Sequence, residues 1–586
     1  MPTRKGPAHV AIIKCRKKGK TYQTVLLRRT YRDGKKVKHE TLGNISHLPP
    51  DIIALISNSL KGEKYVPVSS AFETIRSIPH GHVAAVLGTL RKIGLETMIA
   101  SRPSRERDLT TAMIVARIID PCSKLATARG FDGETIFTTV GETLNTNSCN
   151  EYELYKTMDW LLKRQNRIEK KIAEQHLKNG SLILYDLTSA HYTGNHCALA
   201  EFGHSKDRKD FPQIIFGLIC NNKGCPVAVE VFKGNMSEPK TLKLQIKKLR
   251  VQFGLRRIVF VGDRGIITEA RIKEDISAVE GVDWITALRA QNIRKLVENG
   301  DLQPSLFDER DIGEISSSNY PGERLIVCRN PFLAKERSDK REKLLKETEK
   351  ILDKIVIATQ RKKRALNGKD KIGLRAGAVI NKFKMSKHFN LSITKNSFSY
   401  ERNEKKIKAE RALDGIYVIR TSTSRQELNA KDTVRAYKNL SVVERAFRSL
   451  KTIDLKVRPI YHRLEDRVRA HVFLCMLSYY VEWHMRQSLK SALFDEEDKE
   501  AAEGQRASVV APAMRSEKTL RKTRTKRTSD NMPAHSFQTM LKDLGTITKN
   551  RVRICTDKGS PAEFEQITTP TPLQRKIFEL LGVGYM

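Results

Sequence analysis

Between residues 181 and 289 the chain is built from short runs of β-branched, leucine and aromatic residues, cut apart by Gly, Asn and Pro. SLILYDL, FPQIIFGLICNN and PVAVEVFKG follow one another, and TLKLQIKKLRVQFG (241–254) then has helical spacing. RRIVFVGDRG (256–265) is strand-like again, and a short helical stretch (268–275) leads to DWITALR (283–289). Runs of this length and composition read as strands. Three strands, a helix, a strand, a helix and a strand predict an α/β core. Two of those strands close on an acid, LILY-Asp186 and IVFVG-Asp263. In an open α/β sheet ligands gather outside strand ends, so acids placed there can share one site. Either aspartate alone also has a local explanation, because Asp favours turns and bonds its own nearby backbone.

The 586 residues argue for several domains, since single cores stop growing at roughly 250–300 residues. Residues 1–65 form a β-rich basic region: HVAIIKC, a KKGK turn, YQTVLLRRTY, an Asp33-Gly34 turn and KVKHETLG read as hairpins. Residues 66–178 read as a helical domain for DNA binding. In EYELYKTMDWLLKRQNRIEKKIAEQHLKNG, Leu154, Met158, Leu161, Leu162, Ile168, Ile172 and Leu177 keep one apolar face, and Asn179-Gly180 ends it. The first part of the core occupies 179–290. From 291 to 410 the core pattern is lost, and the long charged helix candidate FLAKERSDKREKLLKETEKILDKIVIATQ marks an inserted domain rather than a loop. DGIYVIRTS (414–422) resumes the core, whose second part spans 411–486. The C-terminal region, 487–586, contains acidic FDEEDKEAAEGQ and the basic tract RSEKTLRKTRTKRTSD (515–530), which reads as a linker that touches DNA nonspecifically.

Lys and Arg number 107 against 67 Asp and Glu, a formal charge of +40. So large and widespread an excess points to a polyanion, because each Lys or Arg docked on a phosphate also releases condensed counterions. Nucleic acid is the expected partner. The nine cysteines are scattered, and Cys220 and Cys225 have no second pair to complete a zinc site, so reduced thiols are expected. The N-terminal MPTRKGPAHVAIIKC lacks the apolar stretch of a signal peptide, and HVFLCMLSYYVEWHM (471–485) is too short and polar-interrupted to span a bilayer. A cytoplasmic protein that enters no membrane is expected.

A third acid stands in YKNLSVVERAFRSLK, 437–451. Tyr437, Glu444 and Lys451 recur every seven residues, so on one continuous helix they share a face, joined by Arg448 four residues after Glu444. Ser441-Val-Val-Glu444 equally fits a capping box, in which Glu444 reaches back to a helix N-terminus and the face with Tyr437 is broken. Both readings stand on local sequence. Glu465 and Asp466 in RLEDRVR are rival acids, and Asp207 and Asp210 in HSKDRKDF lie between the first two strands.

The order of these pieces resembles the DDE transposases of bacterial insertion sequences, in the group marked by a Tyr-x2-Arg-x3-Glu-x6-Lys signature. Here the signature falls on Tyr437, Leu440, Glu444 and Lys451, three matches of four with Leu at the Arg position. YDLTSAHYTG, VFKGNMSE, VGDRGIIT and VERAFRSLKTIDLKVRPIYHR also resemble this family. YQTVLLRRTYRDGKKVKHETLG and CRNPFLAKERSDKRE resemble one large subfamily, and the likeness runs from about residue 9 to 486.

The resemblance implies a ribonuclease-H-like mixed-sheet core in which Asp186, Asp263 and Glu444 bind two divalent metals, Mg²⁺ with Mn²⁺ as a substitute. Carboxylates about 4 Å apart repel by ~4 kcal/mol at an effective dielectric near 20, so their convergence makes sense around cations. Two hard cations then support in-line phosphoryl displacement, first by water and then by the freed 3′-OH. Tyr437 and Lys451 would hold the element's end, and Arg445 or Arg448 would replace the missing signature Arg. Double-stranded DNA, as terminal inverted repeats and target, is the implied partner, with a homodimer in the synaptic complex and a bacterial or archaeal cytoplasm as the setting. A nuclease or resolvase that cuts without joining, and a DNA-binding protein that has lost catalysis, are the competing readings.

Overall fold

The computed structural model describes residues 6–17, 19–63, 65, 71–204, 210–307, 310–554 and 562–585. The chain divides into two compact units, residues 1–77 with 549–566, and residues 78–548 with 567–586. In the first, β1 (Ala8–Lys17), β2 (Lys20–Asp33) and β3 (Lys36–Asn44) form an antiparallel sheet in that order. Gly34, at φ +60°, turns β2 into β3 at the expected Asp33-Gly34 position, and Lys38 Nζ closes on Asp33 Oδ2 at 2.6 Å. A helix, α1 (Pro50–Leu60), follows, and then β4 (Phe72–Pro79).

In the second unit the helices α2 (Gly81–Lys92), α3 (Arg105–Ile119), α4 (Lys124–Phe131), α5 (Glu151–Leu162) and α6 (Gln165–His176) precede the sheet. The single face expected over 151–177 is present, with Leu154, Met158, Leu161, Ile168, Ile172 and Leu177 all buried, but two helices carry it. The break at Lys163–Arg164 turns α6 onto the sheet edge. There buried Glu169 accepts the Val229 N–H at 3.1 Å and pairs with Lys248 Nζ at 2.8 Å. An edge strand's open backbone is thereby covered.

The five expected strands are β5 (Ser181–His191), β6 (Gln213–Asn221), β7 (Pro226–Lys233), β8 (Ile258–Gly262) and β9 (Val282–Ala287). They lie in the order β7-β6-β5-β8-β9, with β5, β8 and β9 parallel and β6 and β7 antiparallel. This is the ribonuclease-H-like mixed sheet that the resemblance implies. Beyond β9 the sheet continues through β10 (Ile312–Ile315) and β11 (Arg324–Arg329), so residues 291–329 belong to the core rather than to an inserted domain. The reason is the run LIVC in β11, buried at every position, which needs a sheet on both sides. What stands apart is α7 (Pro331–Thr359), α8 (Lys369–Phe383) and the hairpin of β12 (Phe389–Ile393) and β13 (Phe398–Arg402), with a hydrophobic cluster of their own. β14 (Ile416–Thr421) then returns to pair between β11 and β9, completing eight strands.

Three helices close the core: α9 (Ala430–Lys438), α10 (Leu440–Arg448) and α11 (Glu465–Ser488). α11 is buried almost all round from Val468 to Val481, the signature of a helix inside a protein rather than on it. It packs on α2, α3 and α5 on one side and on β7 on the other. The helical region and the sheet therefore share one hydrophobic core, not two. Among the described residues no helix is long and apolar enough to cross a membrane.

The tail differs from expectation. Much of the basic tract 515–530 is a helix, α12 (Glu517–Thr525), N-capped by Ser516, and its Lys522 is buried against Glu497 Oε1 and the Lys490 carbonyl. Composition suggested a linker because the charges dominate, but paired charges on a capped helix can be buried. A second helix, α13 (Phe537–Leu544), packs on α2. β15 (Thr548–Ile554) and β16 (Glu563–Ile567) then pair with β4 in the order β16-β15-β4, within the first unit.

A buried polar cluster joins α11 to the turn after α10. Ser449 Oγ lies within hydrogen-bond distance of Asp454 Oδ2 (2.9 Å) and Glu482 Oε2 (3.0 Å), while Arg486 reaches Glu482 Oε1 (2.6 Å) and Asp454 Oδ2 (3.0 Å). Burial, with the Asp454 charge adding to it, pushes Glu482 up to about 8 from 4.5, although Arg486 opposes this. A carboxyl raised in the folded state binds its proton more tightly there, so stability is full near pH 4.5 and falls as pH rises toward 8. Thermal melts from pH 5 to 9 should show this decline, and Glu482→Gln should flatten it. An equal slope in the variant would assign the pH dependence elsewhere.

Candidate active site

Asp186 and Asp263 are brought together by strand register. β5 is longer than expected: it does not end at Asp186 but runs to His191, with Asp186 opposite Leu218 of β6. β8, however, stops at Gly262, which is paired with Tyr185. Asp186 is thus the first residue of β5 beyond its parallel neighbour, and Asp263 is the first residue after that neighbour ends. Parallel strands lie about 4.8 Å apart, so the two acids are side by side where the sheet splits. Each also makes the local bond open to any such aspartate: Asp186 Oδ1 accepts the Leu187 N–H (2.8 Å) and Asp263 Oδ1 the Arg264 N–H (2.7 Å). The local bonds are thus present in two acids that also stand side by side.

Glu444 approaches from α10 and lines one cavity with Asp186, a cavity whose lining does not include Asp263. The capping box at Ser441 is absent: the helix starts at Leu440, its N-cap is Asn439, and no side chain caps it. Asn439, at φ −64° and ψ −12°, keeps helical geometry and is also the C-cap of α9, so α9 and α10 are nearly continuous. Beyond Arg448 a π-helical turn, Ser449–Ile453, carries Lys451. α10 packs on β5, and Phe447 meets Phe216 of β6 edge to face at 5.6 Å between ring centres. The outcome is a cavity of about 380 Å³ lined by Asp186, Thr188, Glu444, Arg448, Lys451 and Arg458, among others.

Tyr437 joins from α9, its hydroxyl donating to Asp263 Oδ1 at 3.4 Å. Burial and the Asp263 charge, with Asp186 adding to them, raise the Tyr437 phenol well above its usual range, so it is a donor at any working pH. Lys451 Nζ donates to Thr188 Oγ1 (3.0 Å) and the Ser189 carbonyl (2.8 Å), which seats its ammonium two residues along β5 from Asp186. Of the two basic residues offered for the missing signature Arg, Arg448 lines the cavity, whereas Arg445 is not among the residues that do. Glu465 and Asp466 sit in the first turn of α11, where acids favour the helix N-terminus, and Asp210 is exposed in the loop before β6. Asp207 lies outside the described residues.

Two contributors were not singled out from the sequence. Glu238 opens a 3₁₀ turn after β7, and a β-carbon on Gly265 would lie 3.0 Å from Glu238 Oε2 and 3.9 Å from Asp263 Oδ2. A fourth carboxylate therefore faces the Asp263 loop, and Gly265 leaves the gap between them open. Arg458 lines the cavity and contacts His191 Nδ1 at 3.1 Å. Both lie in words already noted, VFKGNMSE and KVRPIYHR, but neither spacing nor periodicity marks which letter faces a site.

Comparison with known families shows what kind of protein this is. The family described as "Transposase DDE domain" matches residues 178–481, and the N-terminal domain of the IS1634 family transposases matches residues 10–66. The chain belongs to the DDE transposases. No curated protein matches it. Among solved structures, one described as a piggyBac transposase synaptic complex with hairpin DNA aligns over 80% of each chain, at 8% identity and a TM-score of 0.34. The transposase family uses divalent metal ions, and the donor set here fits: Asp186, Asp263 and Glu444 offer only carboxylate oxygens, the ligands that hard cations take. If these residues hold the ion, Mn²⁺ should raise the melting temperature of the wild type by mass action. Asp186→Asn should lose most of that shift. A variant that shifts as far as the wild type would place the ion elsewhere.

Proposed function

We propose that this transposase cuts phosphodiester bonds at the ends of its element and joins the freed 3′-OH to target DNA, with Asp186, Asp263 and Glu444 as the catalytic carboxylates. The observation that carries the proposal is the in-register pairing that sets Asp263 beside Asp186, together with Glu444 on the same cavity wall. The three carboxylates would hold Mg²⁺, as one or two ions. Such a cation supplies Lewis-acid polarisation of a phosphoryl oxygen and lowers the pKa of an attacking water.

The chain's own residues supply position. Lys451, tied to β5, and Arg448 present cationic groups in the cavity that Asp186 and Glu444 also line, where an entering DNA phosphate meets them. Arg448 also serves as the guanidinium that Leu440 cannot provide. Tyr437 holds the Asp263 carboxylate in one orientation by hydrogen bonding. The basic first unit (1–77 with 549–566) and the helices before the sheet are proposed as the DNA-gripping parts, α7 with α8 and the β12–β13 hairpin as the insertion, and a homodimer as the form that pairs two element ends.

The test is an assay with terminal inverted-repeat DNA and Mg²⁺. Wild type should give joined strand-transfer product, and Asp186→Asn should reduce it by at least a hundredfold. Cleavage without joining would favour a nuclease, and binding without cleavage by either protein would remove the enzyme. Affinity for nonspecific duplex should also fall about tenfold or more between 50 and 200 mM salt, as expected when several phosphates are neutralised. A flat salt dependence would break the link between the net charge and DNA.

A further inference from the structure

Next to the active site lies a larger cavity, of about 800 Å³, between α4, α5, the start of α11 and the segment Lys456–Arg467. This is the size of pockets that enclose small organic ligands, roughly 300–1,000 Å³. Six cations line it: Arg117, Lys124, Lys456, Arg458, Arg463 and Arg467, with no carboxylate among the lining residues. Some of these cations have partners. Arg117 donates to the Cys122 carbonyl at 3.1 Å, and Arg467 comes within 3.5 Å of Asp159. Lys124 is different: it is only 4% exposed, yet makes no hydrogen bond or ion pair among the described residues. An ammonium so largely covered and without a partner is unfavourable, and an anion in the cavity would offset that.

Further observations agree. His462 is pushed down to about 3 by burial and then by Lys124, Arg117 and Arg467, and Lys124 itself is pushed down to about 7 by burial and Arg117. Basic groups thus crowd one another in this space. At the mouth, Tyr152 and Tyr461 are 69% and 63% exposed, aromatic faces of the kind on which bases stack. Arg458 lines both this cavity and the one containing Asp186 and Glu444, so the two are neighbours along one path.

We infer that this cavity holds one nucleotide of the DNA strand that enters the active site, its phosphate on Lys124 and the arginines and its base against the tyrosines. The inference rests on DNA being the substrate, but not on the identity of the catalytic carboxylates. Binding of a fluorescent dT10 strand to the full-length protein at 150 mM salt tests it. Lys124→Met should weaken dT10 binding about tenfold, whereas Lys343→Met, an exposed charge on α7, should change it less than twofold. Because the substitution removes an unpaired buried charge, Lys124→Met should melt no lower than wild type, which separates lost binding from lost folding. Equal effects of the two substitutions, or none from Lys124→Met, would overturn the inference. Free dTMP should compete only at concentrations at least a hundredfold higher than dT10. Competition at equal concentration would make this a free-nucleotide pocket and overturn the strand assignment. If dT10 binds as expected but no Mg²⁺-dependent cleavage occurs, the enzymatic reading fails while the pocket stands.

Discussion

Burial of α11 is the constraint on which the rest of this molecule depends. Its flank from Val468 to Val481 is apolar nearly all round, so it must be covered on every side, by α2, α3 and α5 and by β7. One helix therefore makes the helical region and the sheet into a single core. The same helix carries Glu482 and Arg486, which hold Ser449 and Asp454 and so anchor the π-helical turn bearing Lys451. Apolar burial supplies the driving force and the polar cluster supplies the register, since its partners satisfy one another in only one alignment.

Charge is organised against this frame in two ways. The overall excess of basic residues suits a polyanion at any orientation. Locally the arrangement is finer, with carboxylates at the split between β5 and β8 and cations on the facing helix and on the segment after it. Glu444 stands on the same helix as Arg448, and Lys451 is bonded to the strand that carries Asp186, so both signs of charge line one cavity.

Much of the core was legible in sequence because its strands are dense β-branched runs with turn residues between them, and all five fall where the pattern puts them. The inserted segment was legible only in part: β10 and β11 are short, and membership of a sheet is a long-range property that a run of four to six residues does not announce. The basic tract at 515–530 misled for a related reason, since Lys522 reads as solvent-seeking until its partners Glu497 and the Lys490 carbonyl are brought to it from elsewhere in the chain.

The sequence by itself determined the strand inventory, the basic character and the family resemblance that singles out the three acids. Only tertiary structure sets Asp263 beside Asp186 and brings Glu444 onto a cavity with Asp186. Asp186 and Asp263 are 77 residues apart, and what makes them neighbours is the early end of β8 beside a β5 that continues. Glu444 was undecided between a cap and a site residue because both need the same local letters. Helical geometry through Asn439, with α10 packed on β5, leaves no cap at Ser441, since hydrogen bonding at a helix start depends on where the preceding helix points, and that depends on the sheet beneath it.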